Sequence, residues 1–206
     1  KAVYQSGSGS NQLIFSYTVR TSDDNAAGVA LGNAITLPRG ASIRLDSTNL
    51  PLALPAVNAP GVRIDATAPK ITALAGPANG SYKAGQVLRF IATASEAATI
   101  AGVPTLPLVI GTTARQAAYV ASSSSPTSLV FEYTVQAGET DANGIALGGS
   151  GVALPTGASI VDAAGNAANP AVTAPNLTRV LVDSAGPVDR KSTRLNSSHA
   201  NISYAV

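Results

Sequence analysis

Apolar and polar residues alternate along one short segment, Ser128–Val135, whose sequence is Ser-Leu-Val-Phe-Glu-Tyr-Thr-Val. A strand places every second residue on the same face, so the apolar positions of this segment share one side. They are Leu129, Phe131, Tyr133 and Val135. The other side takes Val130, Glu132 and Thr134. We predict a strand with an apolar, aromatic inner face.

The same pattern occurs earlier in the chain as Gln12–Val19, 116 positions upstream. Its four alternating residues are identical to those of the later segment: Leu13, Phe15, Tyr17 and Val19. Further matched segments follow in the same order. They are Leu37–Ile43 with Leu154–Ile160, and Val62–Asp65 with Val180–Asp183. This period exceeds that of solenoid repeats and indicates one domain per unit.

The repeat and its turn residues predict how the chain is divided. Residues 67–187 hold a full unit, whereas residues 1–66 match only the C-terminal half of one. Short β-branched runs separated by Gly, Pro, Asn and Asp are typical of antiparallel sandwiches. The predicted fold is therefore all-β, with tandem immunoglobulin-like sandwiches of which the first is truncated. A half-unit cannot complete its sheets, and we expect it to be frayed.

Composition excludes several classes of protein. Only 12% of the residues are charged, and cysteine is absent, so disulfides and thiolate metal sites are excluded. The formal net charge of +2 comes from the last residues, since positions 1–188 hold ten basic and ten acidic side chains. A neutral chain gives no reason to expect binding to nucleic acid or to an anionic membrane. No apolar run is long enough to predict a membrane helix.

The C-terminal tail differs sharply from the rest of the chain. The segment Asp189–His199 holds the only histidine and resembles the translation of a sequencing adapter. We therefore predict that residues 188–206 are a non-native, disordered tail that takes no part in the fold. Without His199, His-based catalysis and His-based zinc sites have no candidate residue. We expect a protein that is not an enzyme.

A family resemblance rests on several short motifs in order. They are Asp65-Ala-Thr-Ala-Pro69, Pro77-Ala-Asn-Gly-Ser-Tyr-Lys-Ala-Gly85, Val103-Pro-Thr-Leu106, Asp162-Ala-Ala-Gly-Asn166 and Val182-Asp183. This set resembles the bacterial immunoglobulin-like tandem repeats of large surface and secreted adhesins, of the flagellar-system-associated type and cadherin-like in logic. The resemblance implies an extracellular or cell-surface fragment of a longer stalk. It also implies neighbouring repeats as partners, an unknown distal host or surface ligand, and calcium near the junctions.

Oxygen-bearing side chains at the turns are the candidate calcium ligands, because Ca²⁺ takes six to eight oxygens. The candidates are Asp65, Glu96, Asp141, Asn143, Asp162, Asn166 and Asp183. Asp65 and Glu96 are expected at one pole of the second unit, with Asp46 or Asn49 reaching across from the first. The alternative is that Asp and Asn stand there as ordinary turn formers that bond their own backbone. Turn chemistry is the stronger explanation for Asp141 and Asn143.

The predicted function is a non-catalytic spacer stiffened by calcium between units. The alternative is a module that binds glycans or proteins through its loops. Sugar sites use exposed aromatic rings, whereas the alternating pattern predicts that Phe15, Tyr17, Phe131 and Tyr133 all point inward. Glu132 and Glu139 are assigned ordinary surface roles, on an outer strand face and in a turn.

Overall fold

A computed structural model describes residues 1–21 and 23–186. The chain is all-β, as predicted, and its described part contains one 3-10 turn, Ala121–Ser123, and no α-helix. The predicted tail 188–206 lies outside the described residues. The strands of residues 1–66 are β1 Val3–Ser6, β2 Ile14–Ser16, β3 Asp24–Asn25, β4 Val29–Ala30, β5 Arg44–Leu45, β6 Thr48–Asn49, β7 Asn58–Ala59 and β8 Ile64–Asp65. Those of the second unit are β9 Ile71–Ala75, β10 Gly80–Tyr82, β11 Val87–Ala94, β12 Thr99–Ala101, β13 Thr105–Ile110, β14 Thr113–Tyr119, β15 Ser128–Thr134, β16 Thr140–Asp141, β17 Ala146–Leu147, β18 Ser159–Val161 and β19 Val180–Asp183.

One six-stranded sheet carries most of the second unit, in the order β17-β13-β14-β15-β11-β9. Strand β15, the predicted aromatic strand, lies in its interior between β14 and β11. It pairs antiparallel with β11 along its whole length, with Phe131 opposite Phe90 and Tyr133 opposite Leu88. The inward apolar residues of β15 therefore lie beside the inward apolar residues of β11 in the same sheet.

The inner face of this sheet is covered by two smaller sheets, β10-β19-β16 and β12-β18. Phe90 and Phe131 are fully buried in the resulting core, together with Val180 of β19 and Ile160 of β18. Among the strands described, the pairing is antiparallel except between β10 and β19, which are parallel. The isolated bridge between Lys70 and Asn169 is also parallel. The chain changes sheet between β9 and β10, at the Gly76–Asn79 turn. The architecture agrees with the predicted sandwich; its immunoglobulin-like kind stays a prediction.

Val130 departs from the expected alternation. It was predicted on the outer, polar face, yet only 2% of its surface is exposed. The segment Ala121–Ser125 folds back over it, and Ser124 Oγ accepts a hydrogen bond from Val130 N at 2.9 Å while donating to Val120 O at 2.8 Å. This serine-rich loop is thus bonded to the backbone of Val130, a buried residue that periodicity alone assigns to solvent.

Residues 1–66 form short two-stranded pairings, and two of them match pairings of the second unit. Tyr4 pairs with Phe15 and their ring centroids lie 5.8 Å apart. Tyr119 pairs with Phe131 in the same way, at 5.9 Å. Asp24 likewise lies opposite Asp65, as Thr140 lies opposite Asp183. The local geometry of the matched segments is the same in both halves of the chain.

The aromatic side chains of residues 1–66 are exposed to solvent, which corrects one prediction. Phe15 and Tyr17 are 38% and 40% exposed, whereas Phe131 and Tyr133 are 0% and 9% exposed. The prediction that all four rings point into a core is therefore wrong for the first pair. Identical side chains on matching strands differ because no counterpart of β11 or β9 covers the earlier pair within the described residues.

Candidate functional site

Asp162, in the turn that follows β18, is the most buried of the candidate calcium ligands. Asp162 Oδ1 accepts hydrogen bonds from the backbone N–H groups of Ala164 and Asn166, both at 2.8 Å. Gly165 has a φ of +91°, a conformation that a glycine adopts without steric cost. The sequence Asp-Ala-Ala-Gly-Asn therefore folds locally into a tight turn around its own aspartate.

Asp162 is held in its charged form by its surroundings. Its residue is only 5% exposed, and Asn166 Nδ2 donates to Oδ2 at 2.7 Å. Burial by itself raises the pKa of this carboxyl group, but the hydrogen bonds from Asn166 and Ala164 outweigh burial and bring the pKa below its ordinary value. Asp162 is consequently an anion at neutral pH.

Glu96 follows the end of β11 and lies close to Asp162. The preceding residue, Ser95, is bonded to the start of β9, because Ser95 N donates to Lys70 O at 2.8 Å and Lys70 N donates to Ser95 Oγ at 3.1 Å. These two bonds fix the end of β11 beside the chain segment that enters the second unit. Glu96 itself is partly exposed.

Asp65 comes from the segment that connects the two units. Thr67 N donates to Asp65 Oδ1 at 3.1 Å, and Asn166 Nδ2 donates to the carbonyl oxygen of Asp65 at 3.0 Å. The buried Pro69 continues the attachment, since its carbonyl oxygen accepts a hydrogen bond from Asn169 N at 2.8 Å. The connecting segment is therefore fastened along the turn that carries Asp162.

The three carboxylates meet at this point. One oxygen of each of Asp65, Glu96 and Asp162 lies within 4.8 Å of the others. Ca²⁺ binds oxygen at about 2.3 to 2.6 Å, so two oxygens on one ion are separated by at most about 5 Å, and the observed spacing fits. The ion pairs of residues 1–21 and 23–186 lie elsewhere, at Arg89–Glu132 and Arg115–Glu139. Negative charge at the junction is thus not balanced by a salt bridge from the described chain.

Two other predicted ligands, Asp141 and Asp183, do not belong to this group. Asp141 Oδ1 accepts a hydrogen bond from Asn143 N at 3.1 Å, which is the turn-forming role weighed against calcium. Its Oδ2 accepts from Gly111 N at 2.7 Å, which ties this turn to the one after β13. Asp183 is exposed at the end of β19. Asp46 lies in the hairpin turn between β5 and β6, where it has a φ of +52°. Asn49 Oδ1 accepts a hydrogen bond from Arg44 Nε at 3.0 Å.

Asn166 is placed at the centre of the junction through its amide nitrogen. Besides Asp162 and the Asp65 carbonyl, this nitrogen lies 3.4 Å from Thr67 O. Because Nδ2 is a donor, these contacts position the carboxylates and the connecting segment. The amide oxygen is the atom that can bind a cation.

Sequence reasoning missed a second acidic centre. Glu139, assigned to a surface turn, is only 8% exposed, which corrects that assignment. Its Oε1 accepts from Tyr133 Oη at 2.6 Å and from Arg115 Nε, while Oε2 accepts from Gln136 N at 2.8 Å. A signal for it was present in the repeat, since both copies place an acidic residue six positions after the same tyrosine: Tyr17 and Asp23, Tyr133 and Glu139.

The pKa values of Glu139 and Tyr133 are shifted by burial and by the hydrogen bonds of this centre. Burial raises the pKa of Glu139, but hydrogen bonds from Tyr133, Arg115 and Gln136 outweigh it and lower the pKa below its ordinary value. Burial and the bond to Glu139 raise the pKa of Tyr133. These shifts favour an ionised Glu139 and a protonated Tyr133. The hydrogen bonds between them are suited to holding the turn at Glu139 closed.

Comparisons with protein-family models, with curated proteins and with solved structures find no match for this chain. Within its described part, no helix has the length and apolar character needed to cross a membrane.

Proposed function

We propose that this chain is a non-catalytic structural segment of a large bacterial cell-surface or secreted adhesin. In this proposal its immunoglobulin-like units act as a spacer, and calcium bound at the junction stiffens the connection between successive units. The resemblance of the ordered motifs between Asp65 and Asp183 to tandem adhesin repeats supports the identity of the units. The matching strand registers of the two halves support the same interpretation.

The observation that carries the calcium proposal is the origin of the three carboxylates. Asp65 belongs to the connecting segment, whereas Glu96 and Asp162 belong to the second unit. An ion bound by all three joins the connection to the unit that follows it. Loss of the ion leaves three mutually repelling carboxylates, which favours separation of the connecting segment from the turn at Asp162.

The chemistry of the donors fits a hard cation. The group offers three carboxylates, from Asp65, Glu96 and Asp162, and carboxylate oxygens are ligands that Ca²⁺ prefers. Carbonyl groups and water would supply the remaining ligands that Ca²⁺ takes. The ion supplies charge neutralisation and a fixed geometry, and the hydrogen bonds of Asn166 hold the ligand-bearing segments in register.

Thermal unfolding tests this proposal. The full chain is melted with excess calcium and with a chelator, in the native sequence and as Glu96→Gln. A ligand bound only by the folded protein at a hundred times its dissociation constant adds about 2.7 kcal/mol, which raises the melting temperature by several degrees.

The matched control is Glu132→Gln, which removes a carboxylate from an outer strand face. We expect calcium to stabilise the native chain and the control equally, and Glu96→Gln much less. An identical melting temperature with calcium and with chelator would refute the calcium part of the proposal.

A further inference from the structure

The tripeptide Ala-Asn-Gly occurs twice in the chain, at residues 78–80 and 142–144. Nowhere else in the sequence does an asparagine precede a glycine. This order favours reaction between the two residues, because a glycine has no Cβ to hinder its backbone nitrogen as it approaches the asparagine side chain. Asn79 and Asn143 have the same flanking residues and are both exposed, so a difference in their reactivity comes from the fold.

Strand pairing holds the nitrogen of the first site. Gly80 is the first residue of β10 and lies opposite Val180 in the parallel pairing with β19, whose register continues to Tyr82. The backbone nitrogen of Gly80 donates a hydrogen bond to Arg179 O at 2.9 Å. Attack by this nitrogen on Asn79 therefore requires the end of β10 to separate from β19.

The nitrogen of the second site is not held in this way. Gly144 lies in the connection between β16 and β17, and no hydrogen bond joins its N–H to another residue of the described ranges 1–21 and 23–186. Asn143 and Gly144 line an open cleft of about 310 Å³ together with Asp141 and Thr140. Water therefore has access to the asparagine side chain and to the product of its reaction.

We propose that Asn143 is a site of spontaneous deamidation in the folded protein, whereas Asn79 is protected. The nitrogen of Gly144 forms a bond to Cγ of Asn143, and its proton passes to the departing amide. The bond between Cγ and Nδ2 breaks, and Nδ2 leaves as ammonia. Water then opens the cyclic imide at either carbonyl and gives aspartate or isoaspartate. Water is the only co-reactant, and no atom is oxidised or reduced.

Both products change the turn that contains Gly144. Aspartate places a second carboxylate two residues after the buried Asp141. Isoaspartate lengthens the main chain by a methylene carbon just before Gly144, where a Cβ would already lie 2.4 Å from Thr178 Cα. We expect the isoaspartyl form to be less stable than the native chain, because the lengthened turn cannot keep its present contact with Leu177 and Thr178.

Peptide mass spectrometry of the full chain tests this inference. The protein is incubated at mildly alkaline pH, in buffer and in denaturant, and the acid formed at residues 79 and 143 is measured after proteolysis. The ratio of the denatured rate to the native rate gives the protection of each site by the fold. Because the strand end and its hydrogen bond must open before Asn79 reacts, we expect its protection to exceed that of Asn143 by at least about tenfold.

Asn143→Gln and Asn79→Gln are the matched variants, since glutamine has to form a larger and less favourable ring. Asn143→Gln should remove most of the acid that the folded chain forms at its two Ala-Asn-Gly sites, and Asn79→Gln should leave that amount unchanged. Equal protection of the two sites, or greater protection of Asn143, would overturn the proposal. A product at residue 143 without isoaspartate would also overturn it, because opening of the cyclic imide gives both acids.

Discussion

Tyr133 Oη donates a hydrogen bond to Glu139 Oε1 at 2.6 Å, and the matching pair of the first unit, Tyr17 and Asp23, is joined at the same distance. In both copies the acid also accepts a backbone N–H three residues before it, from Gln136 and from Arg20, at 2.8 Å. The bond therefore closes the turn after the aromatic strand. It persists although one copy uses glutamate and the other aspartate.

Removing the hydroxyl of Tyr133 tests the energy of this bond. In Tyr133→Phe, the buried carboxylate of Glu139 loses a donor, and we expect the free energy of unfolding to fall by about 1 to 3 kcal/mol. Chemical denaturation measures the change. Tyr17→Phe is the matched control, because Asp23 is partly exposed, unlike the buried Glu139, and water can replace the lost donor; it should cost clearly less. Equal losses in the two variants would contradict a role for burial.

The lowered pKa of Glu139 predicts a pH dependence of stability. A carboxyl group with a lowered pKa in the folded state stabilises the fold fully above its ordinary value near 4.5, and this contribution is lost as the pH falls through the lowered value. Glu139→Gln should therefore be less stable at pH 7, and the gap from the native chain should narrow below about pH 4.5. Denaturation curves between pH 7 and acid measure it; a gap that is constant with pH would refute the assignment.

The two aromatic strands predict unequal effects of the same substitution. Phe131→Ala empties a fully buried site and should destabilise the second unit by about 3 to 5 kcal/mol. Phe15→Ala acts on a ring that is already 38% exposed and should change stability by less than about 1 kcal/mol. Equilibrium unfolding of both variants compares them directly. A large loss in Phe15→Ala would mean that residues 1–66 have a closed core in solution.

Gly144 lies where the backbone of another segment approaches closely. It has a φ of +93°, and a Cβ at this position would overlap backbone atoms of Leu177 and Thr178. Gly144→Ala should therefore destabilise by at least about 2 kcal/mol more than Gly157→Ala. Gly157 is the control because its φ is +85° and a Cβ there meets open space. Similar losses in the free energy of unfolding for the two variants would show that the positive φ sets the cost, and not the overlap with Leu177 and Thr178.

The sequence predicted the fold class and much of the strand pattern because alternation and turn residues are local signals. The strand predicted over Ser128–Val135 is β15, Ser128–Thr134. Residues 113–116 of β14 show no apolar alternation, yet they pair with β13. Such pairing depends on a partner strand and is not visible in the segment itself.

The site was predicted in part for a similar reason. Asp65, Glu96 and Asp162 were all named from turn and boundary motifs, but their meeting depends on the Ser95–Lys70 and Asn166–Asp65 bonds across the fold. The burial of Glu139 was missed because a turn position is usually exposed. Its tyrosine and arginine partners come from two different strands, β15 and β14.

The most direct test of the central claim measures the spread of distances between the two units. The native chain has no cysteine, so Ser47→Cys and Ser122→Cys place one spin label in each unit at exposed positions. Pulsed electron paramagnetic resonance then gives the distribution of distances between the two labels, with calcium and with chelator. We predict a narrow distance distribution with calcium, a broad one with chelator, and a broad one in Glu96→Gln under both conditions. A distribution of the same width with calcium and with chelator in the labelled native chain would contradict a calcium-stiffened spacer.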